Sequence, residues 1–333
     1  MFPFRSTDAR LCAGVLTIGR RALAFALAAA VSGCAILLPQ SEAIRAQWPA
    51  TLGDRAELAA VPFFTQKDYE CGPAALAMVL GFDGVPVTPE ELVSKVYLPG
   101  RKGSLQIEML AAPRAFGVVS WQLGPRLEDV LREVEAGTPV IVLQDYGVWP
   151  VPVWHYAVVI GYDRANSKVV LRSGEKERLE IPLPVLEYTW KPSHYWAIVA
   201  IPPDRIAATA TEGAWSAAVA AMERVSSRAA ARTAYRTLAA RWPDSLNGAI
   251  GLANVHYADA EFGAAEEVLR GAVAQHPESA VALNNLAQVL SDEGRNAEAL
   301  QIIEEAIARG GPFRKEAEQT RAQIRAKMDA AHR

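Results

Sequence analysis

Cys71 and its neighbours have the types and the spacing that nucleophilic catalysis by a thiol requires. Cys71 directly precedes Gly72, Pro73 and an apolar run, so we expect it at the N-terminus of a helix, where the helix dipole favours the nucleophilic thiolate. Gln66, five residues earlier, carries a neutral amide that could donate to the oxyanion formed when a carbonyl is attacked. The pattern therefore predicts attack of a thiolate on a carbonyl carbon.

A thiolate nucleophile needs a base whose pKa lies near neutrality, and histidine is the side chain that supplies one. His155 opens the strand-like string HYAVVIGYD, and His194 lies in a loop before a later strand. We expect His155 to be the general base, with His194 as the alternative. The other histidines lie in a helical region or in the tail: His256, His276 and His332.

Three strings, QKDYECGPAALAMVL, GTPVIVL and HYAVVIGYD, follow one another in an order that resembles the C39-type cysteine peptidase domain. That family has a papain-like α+β fold, and the resemblance covers residues 61–201. Carried over residue by residue, it implies that Cys71 is the nucleophile, His155 the general base and Gln66 the oxyanion-hole side chain. It also implies a peptide or protein substrate.

The residue that orients the histidine departs from the family pattern. An Asp, commonly followed by Pro, occupies that position in the family, whereas KVVLRSG places Ser173 and Gly174 there. A serine can accept a hydrogen bond from the imidazole, but it brings no negative charge to stabilise an imidazolium. We expect Ser173 or Asp163 to orient the ring, with Glu175 as a further candidate.

The replaced third member leaves other functions open. A catalytically inactive lipoprotein adaptor, which binds peptide segments in the cell envelope without cutting them, is the alternative to a peptidase. Acyl transfer to an amine, as in transglutaminases, would use the same Cys/His pair. Reaction of the thiol with an electrophile distinguishes a catalytic cysteine from an inert packing cysteine.

Hydrophobic patterning predicts the elements that position these residues. Short runs rich in β-branched and aromatic residues predict strands at residues 139–143, 155–160, 168–171 and 195–201. Helical patterns cover residues 71–80, 89–96, 105–116 and 127–136. Thr88, Pro89 and Glu91 form an N-cap, a proline at the first helical position and a capping box. The predicted unit is an α+β domain at residues 59–203.

Beyond an Ala- and Thr-rich linker at residues 204–214, which follows Pro202 and Pro203, the chain is Ala-rich and repetitive. Pro243-Asp244-Ser245 recurs as Pro277-Glu278-Ser279, 34 residues later. This period resembles the tetratricopeptide repeat, a helix pair that buries its apolar face by stacking on its neighbours. We therefore predict an all-α repeat domain at residues 215–333, with a degenerate first unit and a capping helix at residues 315–327. A module of this kind would bind a protein partner or pack on the first domain.

The first forty residues resemble a bacterial lipoprotein signal. Arg20 and Arg21 precede a short apolar run that ends in Ser32, Gly33 and Cys34. The run is too short to span a bilayer. In lipoproteins the cysteine is diacylated and the chain is cut before it, which implies a signal peptide at residues 1–33, a lipid-anchored tether at 34–58, and an envelope location, with Ala35 favouring the outer membrane. An ordinary signal, an uncleaved anchor and a twin-arginine signal are the alternatives.

Composition narrows the remaining classes. With 34 basic and 37 acidic residues and 51% hydrophobic residues, the chain lacks the charge excess of disordered proteins and the basic surplus of nucleic-acid binders. Three cysteines are too few for a disulfide scaffold. The sequence has no CxxC, HExxH or clustered His/Cys spacing and no glycine-rich phosphate loop, so we expect no metal and no cofactor.

Overall fold

The computed structural model describes residues 38–66, 70–101, 103–148 and 150–331. Its first part is an antiparallel sheet with helices on both faces, and its second part is entirely helical. The predicted order, an α+β domain followed by a helical repeat region, is confirmed. The predicted signal peptide at residues 1–33 and the lipidation site Cys34 lie outside the described residues.

The sheet has seven strands, and all of its strand pairs are antiparallel. They are β1 (Arg55–Glu57), β4 (Val119–Gln122), β5 (Val140–Asp145), β6 (Trp154–Asp163), β7 (Lys168–Ser173), β8 (Lys176–Pro182) and β9 (Ala197–Ile201). Their order across the sheet is β4-β9-β5-β6-β7-β8, and β1 pairs with the end of β6. Strands β2 (Tyr97–Leu98) and β3 (Gly103–Ser104) form a separate small ribbon.

The helices of the sheet domain are α1 (Pro39–Ala46), α2 (Cys71–Phe82), α3 (Pro89–Val96), α4 (Gln106–Ala111), α5 (Leu127–Glu135) and α6 (Leu183–Trp190). Helix α3 has the bounds that its sequence predicts. The Thr88 hydroxyl accepts from the Glu91 backbone N–H, and the Glu91 carboxylate accepts from the Thr88 backbone N–H. Helix α3 therefore begins where its local chemistry requires, since capping satisfies donors that the first helical turn leaves unpaired.

Side chains alternate between the two faces of the sheet and so build two apolar layers. In β6, Tyr156 and Val158 face the layer that contains α2 and α3. Ala157 and Val159 face the opposite layer, which contains α5 and α6. Helix α2 is buried from Gly72 to Leu80, so its first residue, Cys71, is held at a fixed place against the sheet.

The segment at residues 38–58 is part of the folded domain, which corrects the prediction of a tether. The Glu187 carboxylate of α6 accepts from the backbone N–H groups of Gln40 and Ser41 at 3.0 and 2.6 Å. The side chains of Ile44 and Leu52 are buried, and β1 extends the sheet. This packing could not be predicted from the local sequence, because it depends on the Glu187 carboxylate, which lies far along the chain.

The predicted linker at residues 204–214 is also packed on the domain. The buried Glu133 carboxylate accepts from the backbone N–H groups of Ala208 and Thr209 at 3.1 and 2.8 Å. Helix α7 already begins at Glu212, and its Trp215 packs edge-on against Trp121 of β4 with ring centroids 6.3 Å apart. The sheet domain and the first repeat helices therefore share one apolar layer.

The helical region consists of pairs followed by a final helix. They are α7 (Glu212–Glu223), α8 (Arg228–Arg241), α9 (Leu246–Ala258), α10 (Phe262–Gln275), α11 (Ala280–Asp292), α12 (Asn296–Arg309) and α13 (Arg314–Ala331). The repeated Pro-acidic-Ser string has a structural purpose, since Ser245 and Ser279 cap α9 and α11 by accepting from the backbone N–H three residues on. No helix among the described residues is long and apolar enough to cross a bilayer.

Candidate active site

Cys71 is the first residue of α2, and its thiol is half-buried. The backbone N–H of Tyr156, the residue that follows His155, donates to its sulfur. Burial raises the pKa of the Cys71 thiol above its ordinary value, and the backbone N–H groups near the sulfur offset only part of that rise. The expectation that the helix N-terminus lowers this pKa is therefore wrong, because desolvation of the thiolate is the larger effect.

The residue after Cys71 has to be small. A Cβ atom on Gly72 would lie 2.3 Å from the Ser104 hydroxyl oxygen and 2.7 Å from the Ser104 Cβ atom. Ser104 belongs to the β2-β3 ribbon, which packs against the start of α2. The close approach explains the glycine of the CGPA string and fixes the first turn of the helix that carries Cys71.

His155 lies near the start of β6, and its ring is bonded to Ser173 at the end of β7. The distance from His155 Nε2 to Ser173 Oγ is 2.9 Å. The structure thus brings together two residues that are 18 positions apart, and it places Ser173 where the family resemblance puts the orienting residue. Burial lowers the pKa of His155 to about 4, so the imidazole is neutral at physiological pH.

Two further side chains complete the surroundings of the histidine. The Tyr146 ring stacks on the imidazole with centroids 5.1 Å apart and an interplanar angle of 25°. The Tyr146 hydroxyl donates to Gln144 Oε1 at 3.0 Å, and Gln144 is fully buried beside His155 in the β5-β6 register. Sequence reasoning missed both residues, although a glutamine that continues the buried run PVIVL was a usable signal.

Gln66 lies beside the same strand but uses its amide for the backbone. Its Nε2 donates to the Tyr156 carbonyl at 3.2 Å, and its Oε1 accepts from the Gly174 backbone N–H at 2.9 Å. Gly174 has φ +59°, a conformation that favours glycine, and its carbonyl also accepts from the Gln66 backbone N–H. Gln66 therefore joins β6 to the β7-β8 turn, and one amide hydrogen is left for another acceptor.

The alternative site residues lie elsewhere. Asp163 is at the opposite end of β6 from His155, about 26 Å away at the rise of a strand, and its carboxylate accepts from the Asn166 backbone and side chain. It cannot orient the imidazole, which corrects that prediction. His194 occupies a left-handed turn on the surface. Glu175 lies in the wall of the pocket beside His155.

Two pockets flank these residues. One, of about 510 Å³, opens beside His155 and Ser173 and has an apolar wall formed by Leu179, Ile181 and Val185. The other, of about 240 Å³, lies before the start of α2 between Phe63, Phe64, Glu70 and Thr88. Cys71 is not among the lining residues of either pocket.

The contact between Cys71 and the strand that carries His155 is made by the backbone N–H of Tyr156, which lies at the Cys71 sulfur. Among the described residues, no hydrogen bond joins the Cys71 sulfur to the His155 ring. Catalytic hydrogen bonds are often long in unliganded enzymes and shorten when substrate binds. Within the same residues, no group of three or more His, Cys, Asp or Glu side chains is arranged to hold a metal ion.

Comparison with known proteins gives two family matches and a similar solved structure. Residues 58–178 match the Peptidase_C39 like family, and residues 256–324 match the tetratricopeptide repeat. A solved structure described as a putative C39-like peptidase from Bacillus anthracis is 19% identical, covers 45% of this chain and 98% of its own, and superposes with a TM-score of 0.38. None of the curated proteins matches. The sequence resemblances to the C39-type domain and to the repeat are confirmed.

Proposed function

We propose that this protein is a cysteine peptidase in which Cys71 attacks a peptide or isopeptide carbonyl and His155 moves the proton. The observation that supports it most is one strand end: the Cys71 sulfur accepts from the Tyr156 N–H, and the adjacent His155 is bonded to Ser173 Oγ at 2.9 Å. The match of residues 58–178 to the Peptidase_C39 like family supports the same assignment.

The proposed reaction follows from the groups present. The His155 nitrogen that does not bond Ser173, Nδ1, takes the thiol proton as the Cys71 sulfur bonds to the carbonyl carbon. The Cys71 backbone N–H and the remaining amide hydrogen of Gln66 donate to the oxyanion. When the carbon–nitrogen bond breaks, the leaving amine takes the proton from His155. Water then hydrolyses the thioester and regenerates the thiol.

Cys71 and His155 are both neutral in the resting protein, and their neutral state determines how the reaction of Cys71 depends on pH. Burial raises the pKa of the thiol and lowers the pKa of the imidazole to about 4. An imidazolium-thiolate pair is therefore not the ground state, and proton transfer accompanies attack. Reaction of Cys71 with iodoacetamide should continue to accelerate above pH 9.0, the ordinary pKa of a cysteine thiol. His155→Ala should slow the reaction at neutral pH, because the base is lost.

The envelope location and the partner are part of the proposal. Lipidation of Cys34 would attach the chain four residues before Leu38, and a chain of that length spans at most about 14 Å. Because residues 38–58 pack on the domain, the peptidase would then lie close to the membrane. The repeats would hold a protein partner, as stacked helix pairs do. Incorporation of an alkyne fatty acid, lost in Cys34→Ala, tests the anchor.

The decisive experiment is a cleavage assay on short synthetic peptides of randomised sequence, read by mass spectrometry as new peptide termini. Wild type and His194→Ala should cleave, because His194 is exposed in a turn outside the site. Cys71→Ala should not cleave, and His155→Ala should cleave more slowly. An intermediate of increased mass on Cys71 would identify the acyl-enzyme.

The adaptor is the alternative, and the replaced triad residue favours it. It predicts that none of the variants cleaves and that Cys71→Ala binds labelled peptides as tightly as wild type. Transamidation predicts a new product only when a small primary amine is added. If wild type gives no product under either condition while peptide binding persists, the peptidase assignment is refuted.

A further inference from the structure

A series of neighbouring polar side chains runs from His155 to the interior of helix α6. His155 Nε2 lies 2.9 Å from Ser173 Oγ, and the Tyr146 hydroxyl is the next polar group beside Ser173. Tyr146 bonds to Gln144 Oε1 at 3.0 Å, and Gln144 Nε2 bonds to Thr189 Oγ1 at 2.7 Å. Thr189 ends the series on the helix carbonyls at 3.0 and 3.1 Å.

The backbone end of this series fixes the direction of every bond. Because a carbonyl can only accept, the Thr189 hydroxyl donates its one hydrogen to a backbone carbonyl of α6. The Thr189 oxygen must therefore accept from Gln144. The group of Gln144 that faces Thr189 is therefore its NH₂, and its oxygen faces Tyr146. Because that oxygen can only accept, Tyr146 must donate to it.

The same assignment of donors and acceptors continues from Tyr146 to His155. With its hydrogen given to Gln144, the Tyr146 oxygen can only accept, so it offers the neighbouring Ser173 hydroxyl an acceptor and we assign the Ser173 hydrogen to it. The Ser173 oxygen then has no hydrogen for the ring and can only accept from His155. The imidazole must carry its proton on Nε2, which leaves the lone pair on Nδ1.

We propose that Tyr146 and Gln144 are positioning residues that, through Ser173, hold His155 in the tautomer with its proton on Nε2 and a basic Nδ1. A carboxylate at residue 173 would hold the proton on Nε2, because it would accept a hydrogen bond from the ring nitrogen that faces it. Here three neutral side chains impose it through the direction of their hydrogen bonds. The inference rests on the proposed function for its catalytic meaning, although the tautomer itself exists without substrate.

Burial makes the series specific. Gln144 has no solvent exposure and Ser173 has 4% exposure, so neither can exchange its partner for water at low cost. Stacking of Tyr146 on the imidazole holds the phenol in place although its ring is partly exposed. Glu175 and Lys176 are the charged residues of the adjoining pocket, and no hydrogen bond connects either of them to the described series.

The test measures the ring nitrogens of His155 by NMR of the full chain with isotope-labelled histidine, because protonated and unprotonated nitrogens differ widely in chemical shift. His155→Gln assigns the signal among the five histidines. Tyr146→Phe keeps the stacked ring and removes the hydroxyl. Gln144→Met keeps the length of the side chain and removes the acceptor. Tyr188→Phe, an exposed tyrosine on α6, is the matched control.

Wild type and Tyr188→Phe should show the proton on Nε2. In Tyr146→Phe the Ser173 hydroxyl is released and can donate to the ring, so the two tautomers should mix. In Gln144→Met the Tyr146 hydroxyl can reverse and donate to Ser173, which should favour the proton on Nδ1. The rate of Cys71 alkylation at neutral pH should fall about two- to fivefold in Tyr146→Phe, in proportion to the competent tautomer.

A proton on Nδ1 in wild type, or a Tyr146→Phe spectrum that matches the Tyr188→Phe spectrum, would overturn the inference. These outcomes are separate from the proposed function, since the tautomer is read without a substrate. A correct tautomer in a protein that cleaves nothing would leave the inference standing and refute the peptidase. If the protein cleaves peptides while His155 carries its proton on Nδ1, the peptidase assignment stands and the inference is refuted.

Discussion

Replacing Ser173 by Asp should raise the pKa of His155 and so shift the neutral Cys71/His155 pair toward an imidazolium and a thiolate. Ser173 Oγ lies 2.9 Å from His155 Nε2, so a carboxylate at this position would form a charge-assisted hydrogen bond with the ring. The Tyr146 hydroxyl, which lies beside Ser173, could turn from Gln144 and donate to the second carboxylate oxygen. The substitution therefore adds one negative charge beside the His155 Nε2–H, which in our assignment already donates to residue 173.

The size of the effect follows from the distance and the burial. An opposite charge within about 4–6 Å raises the pKa of a histidine by about 1–3 units, or about 1.4–4 kcal/mol. Starting from about 4, the pKa of His155 should rise to between about 5 and 7. Because Ser173 has only 4% exposure, desolvation of the new carboxylate places the result toward the lower end.

The measurement is an NMR titration of the His155 ring in Ser173→Asp, with Ser173→Asn as the matched control. Asparagine has the same shape and can accept the same hydrogen bond, but it carries no charge. The pKa of His155 in Ser173→Asn should stay near its wild-type value. The pH at which alkylation of Cys71 accelerates should fall in Ser173→Asp and should not fall in Ser173→Asn, because an imidazolium near the sulfur stabilises the thiolate.

Equal His155 pKa values in the two variants would refute this reasoning. They would mean that residue 173 acts on the ring through shape alone, or that the bond between the two side chains is absent in solution. A downward shift in Ser173→Asp would show that burial of the new charge outweighs its attraction to the ring. Thermal unfolding of both variants checks that the fold is retained.

Three further predictions concern the framework. Gly72→Ala should destabilise the protein by about 1–3 kcal/mol because its Cβ meets Ser104 at 2.3 Å, and Ser104→Gly in the same chain should restore the unfolding temperature. Trp215→Ala should cost about 3–5 kcal/mol in denaturant titrations, since Trp215 is buried at the junction with the repeats; a change under 1 kcal/mol in that titration would mean that the junction carries little stability. The Arg178 guanidinium lowers the pKa of Glu57 from 4.5 to about 2, so this carboxylate stabilises the fold above pH 4.5 and the gain is lost as pH falls toward 2. Glu57→Gln should lose about 1 kcal/mol at pH 7 and nothing near pH 2, and an equal loss at both pH values would contradict the linkage.

Local chemistry predicted the elements that it controls. Helix α3 was predictable to the residue because its capping box is contiguous in the sequence. Strands β5, β6 and β7 were predictable because both of their faces are buried, which gives continuous apolar runs. Strand β8 was missed because it is an exposed edge strand with charged side chains. Strand β1 was missed because it contributes only three residues.

The candidate site divides in the same way. Cys71 and His155 were predicted from their types and their local strings, and Ser173 from its place after a strand; their catalytic roles stay a prediction. Tyr146 and Gln144 were not found, because their relation to His155 exists only in the register of β5 against β6 and in the folding of the loop between them. The pKa values could not be read from the helix position alone, since burial is a property of the whole fold.

The serine at residue 173, the raised pKa of Cys71 and the lowered pKa of His155 all favour a neutral thiol and a neutral imidazole. A carboxylate at residue 173 would stabilise the imidazolium, and its absence leaves burial to keep the His155 ring neutral. A neutral ring cannot stabilise a thiolate, and burial keeps the proton on Cys71. The resting sulfur is then a poor target for oxidants, which react with thiolates. Reactivity would arise when a bound carbonyl accepts the sulfur while His155 accepts the proton, so the substrate itself must complete the site.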